Sequence, residues 1–158
     1  MIVAGEDLRY LARRLIRMAV EDVGLADPTA LTVALNALSA FETLGSPEGE
    51  LAIAQATVYL ALAPKSNAIY SAYTSASEDA ARSAHVTVPP HLVNAVTQWM
   101  RTEGFGKGYV YEHDLPEGWS GQQFFPTGME EKRYYNPVER GFERDLAKRI
   151  AYFMKLKT

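Results

Sequence analysis

The segment SPEGELAIAQATVYLALAP, residues 46–64, limits the possible folds of this chain more than any other stretch. Ser46 and Pro47 are typical of a helix start, and Glu48 and Glu50 place negative charge where the helix dipole favours it. The helix that follows is apolar or small on every side, which is the pattern of a helix buried all round. Its alanines at positions 52, 54, 56, 61 and 63 allow neighbouring helices to approach closely. We therefore expect this helix at the centre of a helical domain.

Two helices are predicted before this central helix. The first carries an apolar stripe from Leu8 to Met18 at steps of three and four residues, and Gly24 is placed to end it. The second begins at Asp27, an N-cap followed by proline at the first helical position, and Gly45 closes it. Both patterns provide an apolar face that the central helix can cover.

Three more helices are predicted after it. A fourth follows Pro64, and a fifth opens at Pro90 and runs through HLVNAVTQWMRTEG, with Trp99 or Met100 facing inward. The last, within PVERGFERDLAKRIAYFMKLK, carries an apolar stripe at positions 142, 146, 150 and 153. The predicted fold is mostly α, a compact multi-helix single domain spanning residues 1–158.

Residues 104–137 break the helical pattern, because glycine, proline and aromatic residues are interleaved there without a 3.6-residue period. We expect an ordered irregular segment, with a short hairpin at KGYVYEHD left open as an alternative. Aromatic side chains are favoured anchors of protein interfaces. The candidate interface residues of this segment are therefore Phe105, Tyr109, Tyr111, Trp119, Phe124 and Phe125.

The 158 residues contain no cysteine, which excludes disulfides, thiolate metal sites and a cysteine nucleophile. No apolar run is long enough for a membrane span, and the start of the chain lacks the pattern of a signal peptide. We expect a cytoplasmic protein without membrane contact. The formal net charge of −3 argues against a dedicated nucleic-acid domain with a strong basic footprint.

The stretch GFGKGYVYEHDLP, residues 104–116, looks at first like a phosphate-binding loop with catalytic residues attached. A phosphate loop requires G-x-x-x-x-G-K-[ST] between a strand and a helix, whereas Lys107 is followed by Gly108 and preceded by a predicted helix. The spacing also fails the G-x-G-x-x-G dinucleotide pattern. We interpret Gly104 as a helix stop in the left-handed conformation, and the other glycines as a turn.

His113 beside Asp114 is the one pair that suggests general-base chemistry, but adjacent side chains in an extended segment point apart. The three histidines lie on different predicted elements without a metal-ligand spacing. We therefore predict no catalytic, cofactor-binding or metal-binding residues in this chain, and no enzymatic activity of its own.

A basic stripe on the last predicted helix is the remaining candidate surface. Arg140, Arg144 and Lys148 follow one another at steps of four residues, although Glu143 and Asp145 lie among them. The stripe has two interpretations, a solvated helix face or a contact surface for DNA or an acidic partner.

Six motifs along the chain together resemble the C-terminal part of the replication-associated recombination protein A family, also called RarA or MgsA. They cover nearly all 158 residues in the family's order, and they are GEDLRYLARRLIRMAVEDVGLADPTAL, GSPEGELAIAQATVYLALAPKSNAIYSAY, VPPHLVNAVTQWM, GFGKGYVYEHDLP, QQFFP and YYNPVERGFERDLAKRIAY. The family is related to the Werner-helicase-interacting ATPase of eukaryotes.

The resemblance implies an AAA+ ATPase similar to clamp-loader subunits that acts on DNA at stalled or gapped replication forks, with single-strand-binding protein and recombination factors as partners. Its ATPase core, which binds ATP and magnesium, would precede this region, and the apolar residues Ile2 and Val3 agree with a chain that continues upstream. This chain would be the helical C-terminal domain, similar to the clamp-loader collar, that assembles a homotetramer. A nucleoid-associated location is implied as well.

The leading hypothesis is therefore a non-catalytic oligomerisation domain. The alternative is a DNA- or protein-recruiting module that uses Arg140, Arg144 and Lys148.

Overall fold

The computed structural model describes residues 1–157, and within them it contains helices and irregular segments but no β-strand. The mostly α prediction is confirmed. Chain contacts divide these residues into two compact units. The first unit comprises residues 1–75 and 134–148, and the second comprises residues 76–133 and 149–157. None of the helices in the described part of the chain is long and apolar enough to cross a membrane.

The first unit is built on three helices, α1 (Leu8–Met18), α2 (Thr29–Leu44) and α3 (Glu50–Leu62). Their interior consists largely of small side chains, so the helix backbones approach closely. One group of buried residues comprises Ala19, Val23, Ala30, Ala34 and Leu60, and the second comprises Ala12, Ala37, Ile53 and Ala56. One face of α3 therefore packs against both preceding helices.

The predicted capping residues are confirmed for α2 but not for α3, which begins at Glu50, after a turn at residues 46–49, without a side-chain cap from Ser46. The Asp27 carboxylate accepts a hydrogen bond from the Thr29 amide at 3.0 Å, which satisfies a free N–H at the start of α2. Asp7 caps α1 in the same way through the Arg9 amide. Gly45, with φ 69°, ends α2, while α1 continues through one π-helical turn, Ala19–Val23, before Gly24.

A buried carboxylate fixes the remaining segment of the first unit. Glu143 is fully buried at the start of α6 (Glu143–Leu156), and it accepts hydrogen bonds from the Ser66 hydroxyl, the Tyr135 hydroxyl and the Val138 amide. These bonds connect the turn after α3 with residues 134–138. Because buried carboxylates need such partners, this residue determines how the chain returns to the first unit.

The second unit departs from two predictions. The fifth helix is not continuous, because the 3₁₀ turn Pro90–Leu92 is followed by an extended stretch, and α5 covers only Gln98–Thr102. Thr97 is extended, and its side chain accepts from the Met100 amide, so it starts a new helix within the predicted one. Trp99 consequently points to solvent, and Met100 is half-buried. The predicted fourth helix forms as α4 (Ala68–Arg82), whose residues 68–75 belong to the first unit and 76–82 to the second.

The hairpin alternative at KGYVYEHD is wrong. Residues 107–114 contain no strand, and Glu112–Asp114 forms a 3₁₀ turn instead. The physical reason is that the Gln122 side chain takes the place of a partner strand. Its amide nitrogen donates to the Val110 carbonyl at 2.9 Å, and its carbonyl oxygen accepts from the Val110 amide at 3.3 Å.

Candidate functional site

The glycine-rich turn at residues 104–108 does not have the geometry of a phosphate site. Gly104, Gly106 and Gly108 all have positive φ, at 88°, 73° and 84°, and an extended stretch rather than a helix follows them. The interpretation of Gly104 as a left-handed helix stop just after α5 is confirmed. The next α-helix begins only at Glu143, so the turn lacks the helix that follows directly after a phosphate loop.

Among the described residues, the side chains of His113 and Asp114 do not hydrogen-bond with each other. The His113 ring instead lies against the Tyr111 ring, with centroids 5.0 Å apart. Within residues 1–157, no group of three or more histidine and carboxylate side chains lies close enough to hold a metal ion. The described surroundings of His113 therefore include an aromatic contact with Tyr111.

The six aromatic candidates fall into two groups in the second unit. Tyr109, Tyr111 and Phe124 are exposed, and they keep the surface that an interface residue needs. Phe105, Trp119 and Phe125 are half-buried. The Trp119 ring stacks on Phe153 of α6 with centroids 5.3 Å apart, so it contributes to the packing of its own chain.

The basic stripe is not one continuous helix face. Arg140 precedes α6, because Gly141 adopts φ 51° and the Phe142 amide donates to the Ala26 carbonyl at 2.8 Å before helical geometry begins. Arg144 donates to the Glu139 carbonyl, and Lys148 pairs with Asp145 at 3.0 Å. All three residues are exposed; Arg144 and Lys148 keep the predicted four-residue step on α6, whereas Arg140 lies before the helix.

The largest departure from the sequence prediction is on α3, which is not buried all round. Leu51, Val58 and Leu62 have exposed fractions of 76%, 60% and 82%. Gln55 completes this row, which we call the α3 stripe: Leu51, Gln55, Val58 and Leu62. The all-round apolar pattern that indicated a central helix was the signal for this surface, because the described chain covers only the opposite face.

A groove of about 630 Å³ lies beside the C-terminal half of the stripe. Its lining consists of Gln55, Val58 and Leu62 of the stripe together with Asp27, Tyr59, Ala63 and Pro64. The Tyr59 hydroxyl donates to the second Asp27 carboxylate oxygen at 2.7 Å, and this hydrogen bond raises the pKa of Tyr59 above its ordinary value. The groove is therefore mainly apolar, and the hydrogen bond between Tyr59 and Asp27 holds its polar side in place.

Comparison with known proteins gives a consistent result. The family described as "MgsA AAA+ ATPase C terminal" matches residues 1–154. Proteins named "Replication-associated recombination protein A" from Coxiella burnetii and Escherichia coli are each 46% identical to this chain, over 99% and 96% of its residues. The protein of the same name from Haemophilus influenzae is 45% identical over 95% of the chain.

The matched region covers 36%, 34% and 34% of these three relatives. The chain thus spans about a third of the length of the curated relatives it matches. The nearly complete family match, the identities near one half and the helical fold support the same conclusion. The chain belongs to the MgsA AAA+ ATPase C-terminal family.

Proposed function

We propose that this chain is the assembly domain of an AAA+ ATPase, and that it holds copies of the protein together as a homotetramer. The family description and the names of the relatives support a role of the longer protein in DNA replication and recombination. In this proposal the domain carries no reaction step. Its contribution is to bring several ATPase modules to one DNA.

The observation that carries the proposal is the exposed α3 stripe. An apolar helix face that remains in water forgoes the hydrophobic stabilisation that burial provides, about 25 cal/mol for each Å² covered. Nothing in the stripe is charged, and Gln55 is its one polar member. Contiguous apolar surface without charge is typical of a protein contact, whereas contact with nucleic acid requires cations. The exposed aromatics Tyr109, Tyr111 and Phe124 provide a second candidate contact on the other unit.

The remaining parts of the proposed function belong to the longer protein. ATP and magnesium would bind to its ATPase core, and the description of the family as the C-terminal part of an AAA+ ATPase supports this division. DNA would be its substrate. Single-strand-binding protein and recombination factors would be its partners at the nucleoid.

Sedimentation velocity over a concentration series tests the proposal. We expect the sedimentation coefficient of the chain to rise with concentration and to reach a plateau above the value of a 17.5 kDa particle. A coefficient that stays at the single-chain value into the high micromolar range would exclude self-assembly by this domain.

DNA or acidic-partner recruitment is a second candidate function. It is favoured by Arg140 and Arg144, which are exposed and have no carboxylate partner among the described residues. Charge reversal of Arg140, Arg144 and Lys148 to glutamate would then reduce DNA binding, and the salt dependence of the remaining binding would become weaker. DNA binding that is equal for the triple variant and the parent chain would eliminate this candidate.

A further inference from the structure

The α3 stripe has a spacing that reads the same in both directions. Leu51, Gln55, Val58 and Leu62 follow one another at steps of four, three and four residues. A two-fold axis that passes beside the helix between positions 56 and 57 therefore places Leu51 opposite Leu62 of a second copy. The same axis places Gln55 opposite Val58. Such self-complementarity is what an isologous contact between identical subunits requires.

The charges at the two ends of α3 favour the same antiparallel arrangement. Glu48 and Glu50 lie at the N-terminal end, and among the described residues neither has an ion-pair partner. Lys65 lies beyond the C-terminal end, where its ammonium group donates to the carbonyl oxygens of Leu60 and Ala63, both at 2.6 Å. Antiparallel helices bring the acidic end of one copy to the basic end of the other, and they oppose the two helix dipoles. Parallel helices would place like charges together.

The side chains beside the stripe permit a close approach. Ala54 and Ala61 are exposed on the same side of α3, and their small size allows two helix axes to lie near the short end of the usual 8–10 Å range. Gln55 lies within one helical turn of the axis, so its carboxamide comes near the Gln55 carboxamide of the second copy. A single polar residue in an otherwise apolar seam fixes the register of paired helices.

We propose that α3 pairs with α3 of a second copy, antiparallel and two-fold symmetric, through Leu51, Gln55, Val58 and Leu62. This inference rests on the proposed self-assembly and adds the surface and its symmetry. A two-fold contact builds dimers, so a tetramer would require a second, different contact surface.

Cysteine cross-linking tests this arrangement of the two α3 helices. The chain has no cysteine of its own that could form other cross-links. Positions 51 and 62 are about 16 Å apart along one helix, beyond disulfide reach within one chain. The double variant Leu51→Cys/Leu62→Cys, oxidised or treated with a short bis-maleimide, should form covalent dimers. Each single variant should remain uncrosslinked, since positions 51 and 51 of the two copies are equally far apart.

The matched control is Leu35→Cys/Leu44→Cys on the neighbouring helix α2, where both leucines are likewise exposed. This variant should not form dimers. Dimers from each single stripe variant would indicate parallel helices and overturn the proposal. Absence of dimers from the double variant, in a chain whose mass is that of several copies, would also overturn it and leave self-assembly intact. If the parent protein has the mass of a single chain, both the α3 pairing and the proposed self-assembly are refuted.

Discussion

Glu143 shows how much of the first unit depends on one residue. Its buried carboxylate accepts from Ser66 Oγ at 2.9 Å, from Tyr135 Oη at 3.0 Å and from the Val138 amide at 2.7 Å. No cation takes part in these three hydrogen bonds, so hydroxyl and amide donors replace the water that the carboxylate loses on burial. The residue joins segments that lie 77 positions apart in the chain.

Truncation of Glu143 should therefore be costly. We expect Glu143→Ala to lower the free energy of unfolding by about 3 kcal/mol, because one buried donor, Ser66, and two half-buried donors, Tyr135 and Val138, lose their acceptor. The exposed neighbour Glu139 is the matched control, and Glu139→Ala should change the value by less than about 0.5 kcal/mol. Urea unfolding followed by circular dichroism measures both, and equal effects of the two substitutions would refute the structural role of Glu143.

Because of Tyr135, the free energy of unfolding should vary with pH in the alkaline range. Burial, together with the hydrogen bond to Glu143, raises the pKa of Tyr135 above its ordinary value of 10.0. The folded chain then keeps the phenol proton at a pH where the unfolded chain releases it. The contribution of Tyr135 to the free energy of unfolding is therefore complete below about pH 10, and it is lost as the pH rises further.

The stability difference between the parent chain and Tyr135→Phe should accordingly shrink as the pH rises above about 10. Urea unfolding of both proteins over a pH series measures this difference. A difference that is constant from neutral to alkaline pH would show that Tyr135 does not titrate as the structure implies.

At the scale of elements, the caps of α2 could be predicted from the sequence, whereas the predicted start of α3 at Ser46 was wrong, because residues 46–49 form a turn and the helix begins at Glu50. Asp27 and Gly45 mark the two ends of α2 as expected, since an aspartate oxygen satisfies a free amide and glycine accepts positive φ. The broken fifth helix could not be predicted from Pro90 alone. Thr97 competes as a second N-cap within the predicted helix, and nothing in the local pattern shows which start will prevail.

Asp27 has a second role that the other aspartate cap lacks. Asp7 accepts only from the Arg9 amide, whereas Asp27 also accepts the Tyr59 hydroxyl from α3. We expect Asp7→Ala to cost about 1 kcal/mol and Asp27→Ala to cost about 2 kcal/mol.

A double-mutant cycle with Tyr59→Phe separates the two roles of Asp27. Asp27 and Tyr59 should show a coupling energy of about 1 kcal/mol, while Asp7 and Tyr59 should show none. Thermal or urea unfolding of the single and double variants gives these energies, and additive effects at Asp27 and Tyr59 would contradict the account.

For the whole molecule, the sequence showed that α3 is apolar on every side without showing that its own chain leaves one face exposed. The α3 pattern indicated burial on every side, and the described chain buries only the face that carries Ile53, Ala56 and Leu60. The periodic pattern shows that a helix face is apolar. It does not show whether the same chain or a second copy covers that face. The aromatic candidates had the same difficulty, because composition could not separate the exposed Tyr109 from Trp119, which stacks on Phe153.

The native mass of the chain tests the central claim most directly. Light scattering coupled to gel filtration, in the high micromolar range, should give an even multiple of 17.5 kDa. Leu62→Asp should lower that mass while circular dichroism stays unchanged, because the substitution places a charge in the α3 stripe and leaves the helix interior intact. A mass of 17.5 kDa for the parent chain would contradict the account.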